Sequence, residues 1–204
     1  MKTISPQDLN NLQLQTLLQT AIAPRPIALA STIDKDGNVN LSPFSFFNMF
    51  STNPPVVIFS PSRRVRDNTT KHTLENVHEV AEVVIGIVNY NIVQQISLAS
   101  TEYEKGVNEF VKAGLTMKEA DLVNTKLIEE CPVNLECKVL EIKALGSEGG
   151  AGNLVICEII KIHVREEYFN EEGNLDQKKL DLVARLGGNW YSRNNENNLF
   201  EVPK

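Results

Sequence analysis

The stretch "SPFSFFNMFSTNPPVVIFSP", Ser42–Pro61, holds five of the chain's eight phenylalanines, and among them the polar side chains of Ser42, Ser45, Asn48, Ser51 and Thr52. A strand buried in a core has no need of so many hydrogen-bonding groups, and a surface loop has no need of so many rings. Phe44, Ser45, Phe46, Phe47 and Asn48 break the apolar–polar alternation of a half-buried strand, so the chain is expected to leave regular strand geometry there. "PPVVIFS" then reads as a short strand whose start is marked by Pro54 and Pro55. Apolar walls with a few placed polar groups suit a flat heteroaromatic ligand. A phenylalanine-rich core or subunit interface has the same composition, and by composition alone that is the better reading.

The flanking sequence sets the fold class. Ile27 to Ile33 reads as a strand, "DKDG" as a turn, and Val39 onward as the returning strand. "EVVIGIVN", "VNLECKVLEIKALG" and "NLVICEIIKIHVREEYF" add three more, the last two joined through the glycine-rich "SEGGAG" as a hairpin. Helices are expected after Ser5 as N-cap with Pro6 as first helical residue, from Thr73 as N-cap through "TLENVHEVAE", and in "NIVQQISLAS". Leu9, Leu12, Leu14 and Leu17 give the first helix an imperfect apolar stripe. Glu104–Pro132 reads as one helical turn plus irregular chain, and the segment after Leu182 as loop. The expectation is one domain spanning 1–204, mainly β: a six-stranded, closed or nearly closed antiparallel barrel with short helical insertions.

Bulk properties narrow the function classes. With 204 residues, 42% hydrophobic and 23% charged, the chain can bury a core without disulfides or metals. Its net charge of −6 argues against nucleic acid or an anionic membrane bound by bulk electrostatics. Three cysteines with no CxxC argue against a disulfide framework or zinc site, and Cys137 and Cys157 read as buried small hydrophobes. The N-terminus lacks a signal-peptide core and no apolar run reaches a membrane span, so a cytoplasmic protein is expected.

The motif search excludes more than it finds. "GSEGGAG" lacks dinucleotide-binding spacing and precedes a strand. No GxxxxGK[ST], GxSxG or HExxH occurs. The segment that stands out is "SPSRRVRDNTTKHT", which gathers Arg63, Arg64, Arg66, Lys71 and His72 among Ser60, Ser62, Thr69, Thr70 and Thr73 at the start of a helix. Free backbone N–H groups, hydroxyls and cations at a helix N-terminus make an anion site that suits a phosphate monoester. A solvated charged loop has the same composition. His78 reads as a surface residue and His163 as a strand histidine in an apolar context. No histidine pair has metal-ligand spacing, so no metal is expected.

Taken together, "APRPIALASTIDKDGNVNLSPFSFFNMFSTNPPVVIFSPSRR" and "KHTLENV", covering residues 23 to 77, resemble the flavin reductase-like family of FMN-binding split-barrel proteins, near its flavoredoxin branch. "GVNEFVKAGLT" and "RLGGNWYSR" follow in the family's order. The resemblance implies a six-stranded Greek-key barrel and a homodimer with FMN at its interface. It implies that Ser45, Phe46, Phe47 and Asn48 line the isoalloxazine. It further implies that Ser60, Ser62, Lys71 and Thr73, with Arg63 or Arg64, hold the ribityl chain and phosphate. His163, Arg185 and Tyr191 match later motifs and would border the flavin face. The chain departs from the family at Lys71-His72-Thr73, where the family usually has Lys-Asp-Thr. The implied activity is an NAD(P)H-dependent flavin or ferric reductase with a small-molecule or protein electron acceptor. The alternatives are a flavoredoxin-like electron carrier that does not oxidise NADH or NADPH directly, and a flavin-binding module.

Overall fold

The computed structural model describes residues 1–203. Eleven strands and five helices follow one another as α1 Asn11–Ala21, β1 Ala28–Ile33, β2 Val39–Phe44, β3 Phe47–Thr52, β4 Pro55–Phe59, α2 His72–Glu79, β5 Glu82–Ile87, α3 Val93–Ala99, α4 Glu109–Ala113, β6 Met117–Glu119, β7 Lys126–Ile128, β8 Val133–Ala144, β9 Asn153–Val164, α5 Gln177–Leu180, β10 Leu182–Arg185 and β11 Tyr191–Asn194. Seven strands form one antiparallel sheet in the order β2-β1-β5-β8-β9-β4-β3.

The opening stretch explains why this sheet rolls up. β2 and β3 are its two opposite edges, yet only Ser45 and Phe46 separate them in the chain. Phe44 and Phe47 are three residue steps apart, at most about 11 Å of extended chain, so these ends of the two edges must lie close together. Phe44 on β2 and Phe59 on β4 confirm it, with ring centroids 5.4 Å apart. The Ser60 N–H reaches back to the Phe46 carbonyl at 2.8 Å. The result is a barrel split between β2 and β3.

The sequence reading gave six strands, and the main sheet has seven. The strand it missed is β3, because the irregularity placed at Ser45–Asn48 is confined to Ser45 and Phe46. From Phe47 the chain already pairs with β4, and a register shift between Met49 and Ser51 hides the alternation that would have exposed it. Two smaller ladders, β6–β7 and β10–β11, occupy segments that read as irregular chain and loop.

β1 is buried along almost its whole length because it has a core on each side. Ala28 and Ala30 face the barrel interior with Phe44, Phe59, Val83, Ile85, Cys137, Val155 and Cys157, and α2 adds Leu74 and Val77. Leu29 and Val84 face the opposite way, against Ile92, Ile96 and Ala99 around α3 and Phe110 of α4. Alternate residues on a strand point to opposite faces, so Ala28 and Ala30 serve one core and Leu29 the other. Leu98 lies on the exposed side of α3, and Ala99 faces inward.

Both helix caps differ from expectation. Ser5 and Pro6 start only a 3-10 turn, and Ser5 makes no side-chain cap bond. The α-helix begins at Asn11, capped by Asn10, whose side chain accepts from the Gln13 N–H while the Gln13 side chain accepts from the Asn10 N–H. Lys71, not Thr73, holds the cap position of α2. Thr73 lies inside, with its hydroxyl 2.9 Å from the Asn40 amide. No helix is long and apolar enough to cross a membrane among the described residues.

Candidate functional site

A cleft of about 990 Å³ opens at the mouth of the split, the upper end of the size range for small-molecule pockets. Three sequence-distant segments enclose it: α1, the basic loop after β4, and the Gly146–Ala151 tip of the β8–β9 hairpin. Leu14, Leu18 and Ile22 give it an apolar wall, continued by Phe46 and Val65. This accounts for α1, which has no buried residue despite its apolar stripe. Part of its apolar side borders the cleft rather than a core.

The other end is cationic. Arg25, Arg63, Arg64, Arg66 and Lys71 line the cleft against Glu102 and Glu148, five cations to two carboxylates in a chain of net charge −6. The basic loop owes its shape to its own side chains. Arg63 Nε donates to Asn68 Oδ1 at 2.7 Å, and Asn68 adopts the left-handed conformation with φ 56°. Arg64 Nη1 donates to Thr69 Oγ1 at 3.1 Å and to the Thr70 carbonyl. The hydroxyl and N–H of Thr69, with Arg66, hold the Asp67 carboxyl down at about 2. Burial lowers the Lys71 amine below the ordinary lysine value, and Arg64 nearby lowers it further. The Lys71 amine lies 5.9 Å from the Phe44 ring centroid.

Arg25 is the residue that sequence reading passed over. It lies in "APRP", yet its guanidinium is one of the most connected groups in the molecule. Nη1 donates to the Gln19 and Ile22 carbonyls at 2.5 and 2.6 Å, Nη2 to the Leu186 carbonyl at 2.9 Å, and Nε to Ser45 Oγ at 3.5 Å. It satisfies carbonyls at the C-terminal end of α1 and also steadies the bend. Burial, then the charge of Arg185, lowers its pKa. The hairpin tip was read as a turn and not as part of a site. Gly152 sits so near Ser60 that a Cβ there would lie 2.7 Å from the Ser60 hydroxyl oxygen.

The expected site residues divide by location. Phe46, Ser62, Arg63, Arg64 and Lys71 line the cleft together. Ser45 sits behind it on Arg25, and Ser60 is buried against Gly152. Phe47 packs against the barrel interior, and Asn48 is exposed on β3 with its side-chain amide oxygen accepting from the Met49 N–H. Thr73 borders a smaller polar pocket with Asn40, Lys71, His72 and Glu109. Arg185 pairs with Tyr191 across β10–β11, its guanidinium carbon 4.5 Å from the ring centroid, and exchanges backbone hydrogen bonds with Arg25. One guanidinium nitrogen of Arg185, Nη1, is buried without a partner among the described residues.

His163 is elsewhere. It lies ten residues along β9 from Asn153, roughly 30 Å at strand rise. Its Nε2 is 2.5 Å from Glu136 Oε1. Asp121, Glu136 and His163 offer ligand atoms within 4.8 Å of one another, a grouping that sequence spacing did not reveal. Glu136 accepts from the Asp121 and Leu122 N–H groups as well as meeting His163, and the Lys161 ammonium holds Asp121.

The profile of the flavin reductase-like domain matches residues 20–181. The chain belongs to this family. An uncharacterized protein of Aquifex aeolicus is 35% identical over 178 residues, covering 87% of this chain and 88% of that one. Nitrilotriacetate monooxygenase component B from Bacillus cereus superposes with a TM-score of 0.91 at 27% identity, covering 99% of this chain and 98% of its own. A split barrel domain protein from Shewanella frigidimarina, classed with the flavin reductases, gives 0.82 at 25% identity over the full length of both. The mainly β, split-barrel architecture of this flavin reductase-like chain is therefore shared along its whole length.

Proposed function

We propose that this family member is an FMN-dependent oxidoreductase of the NAD(P)H:flavin type, acting as a homodimer and passing electrons to a small molecule or a partner protein. The observation that carries the reading is the composition of the cleft at the mouth of the split. Its apolar wall of Leu18, Ile22 and Phe46 runs into a cationic end of Arg63, Arg64 and Lys71.

The donor set suits FMN. Phe46 and the apolar face of α1 would border the flat ring system, which needs apolar walls. Lys71, Arg64 and Ser62 would hold the phosphate, since a cation and a hydroxyl beside a helix start suit a dianion. When bound, a flavin supplies the redox chemistry itself, accepting a hydride from a reduced nicotinamide and releasing electrons to an acceptor. The chain's own work is to bind, orient and shield, so the cleft needs no catalytic triad or carboxylate pair. Dimerisation is supported by the outer edge of the sheet, where Met49 and Phe50 on β3 are 61% and 64% exposed.

The test is the visible spectrum of the purified protein with added FMN, followed by anaerobic addition of NADH or NADPH. Bleaching by either nicotinamide supports the reductase. Bleaching by dithionite alone supports an electron carrier. A protein that leaves the spectrum of FMN unchanged has no flavin site.

A further inference from the structure

Glu102 belongs to the segment between α3 and α4 that forms neither helix nor strand, and it reaches across into the cationic end of the cleft. Its Oε1 lies 3.1 Å from Arg64 Nε and its Oε2 lies 2.8 Å from Arg66 Nη1. A carboxylate bridging two guanidinium groups occupies the ground that a phosphate monoester needs, because both anions seek the same planar donor edges. The two sides of this contact are held differently. The Arg64 side chain is 15% exposed and has further partners in Thr69 and Thr70 besides Glu102. The Glu102 side chain is 42% exposed, and the other ion pair from its segment is Lys105 to Glu75 at 3.7 Å. Such exposed pairs add little to folding stability, so Glu102 is free to be displaced. Lys71, which lines the cleft beside it, has no ion pair of its own among the described residues.

We infer that Glu102 is an internal counter-anion which a phosphate group must displace from Arg64 and Arg66 on entering the cleft, so that this one carboxylate sets how tightly the site keeps a phosphorylated ligand. The inference rests on the FMN reading and adds to it a competition. Bound phosphate and the Glu102 latch exclude each other, and the Thr101–Val107 segment is freer when the ligand is in place. Riboflavin, which lacks the phosphate, does not compete with Glu102.

The experiment measures dissociation constants of FMN and riboflavin for the wild type, Glu102→Gln and Glu102→Ala by flavin fluorescence quenching. Far-ultraviolet circular dichroism and thermal midpoints confirm that the variants fold. Both variants are expected to bind FMN about tenfold more tightly, the scale of one removed charge interaction. Riboflavin affinity is expected to stay unchanged, and inorganic phosphate to compete better against FMN in the variants than in the wild type. If the wild type binds FMN and the variants bind it equally or more weakly, Glu102 is a neutral or positioning partner of the arginines and the inference fails alone. If the wild type binds neither flavin, the FMN reading fails and takes the inference with it.

Discussion

The Lys71 amine stands 5.9 Å from the centroid of the Phe44 ring, which joins the cationic end of the cleft to the barrel interior. Phe44 in turn meets Phe59 across the closed sheet. The position of this cation therefore depends on closure of the barrel. Burial and the neighbouring Arg64 charge both act against its protonated form. An incoming dianion relieves that cost, which is the physical reason to expect Lys71 to discriminate for phosphate. Lys71→Ala is expected to weaken FMN by tenfold or more, about 1.4 kcal/mol or above, and to leave riboflavin nearly unchanged. Equal losses for the two flavins in a fluorescence titration would refute the phosphate role.

Arg25 ties the end of α1 to the barrel. Three of its guanidinium contacts are backbone carbonyls, two of them in the last turn or just beyond the end of α1. Losing a hydrogen bond from a charged donor costs about 1.5–3 kcal/mol. Arg25→Met is thus expected to lower stability by about 2–3 kcal/mol and to raise hydrogen exchange selectively in Asn11–Ala21. Arg25→Lys should recover little of this, because one ammonium cannot reproduce a planar fork. Uniform exchange across the chain would show that α1 is held by something else.

Glu136 makes stability depend on acid. Burial pushes its carboxyl upward, but the Asp121 and Leu122 N–H groups and His163 outweigh that and leave it below the ordinary 4.5. A depressed folded-state value means the contribution is fully present above about 4.5 and is lost as the pH falls through the folded value. Glu136→Gln is expected to cost about 1–3 kcal/mol at pH 7 and to flatten the acid limb of a stability–pH curve below 4.5. A variant curve parallel to the wild type would mean the charge of Glu136 is not what holds the Asp121–Leu122 turn.

The three cysteines are unpaired and buried. Burial lifts the Cys137 thiol to about 12, and lifts Cys131 and Cys157 in the same direction. Thiolate is the reactive form, so the native protein should resist Ellman's reagent at pH 8 and release three thiols only on unfolding. Cys131 also fixes a neighbour. A Cβ on Gly86 would stand 2.5 Å from its Sγ, and Gly86→Ala should cost about 1–3 kcal/mol by overpacking.

Much of this protein was legible from the chain alone. Runs rich in apolar and β-branched residues marked β1, β5, β8 and β9, the prolines marked the start of β4, and "SEGGAG" marked the hairpin, because these signals act between residues close in sequence. β3 was lost because a register shift and phenylalanines on both faces erase the period. The ladders β6–β7 and β10–β11 were lost because three- or four-residue strands carry too little pattern to read.

The site divides the same way. The residue types in "SPSRRVRDNTTKHT" are enough to suggest an anion partner, since charge and hydroxyl content are local properties. The order of residues between Ser42 and Pro61 likewise marks a break in the strand. Which of the phenylalanines meets the cleft is a tertiary fact. The two-residue bend turns Phe46 outward and returns Phe47 to the barrel interior. The same holds for α1 as a wall, for Arg25 behind the bend and for Glu102 on the arginines. Each pairs segments twenty or more residues apart, and rolling a seven-stranded sheet until its edges nearly touch is what brings those segments together.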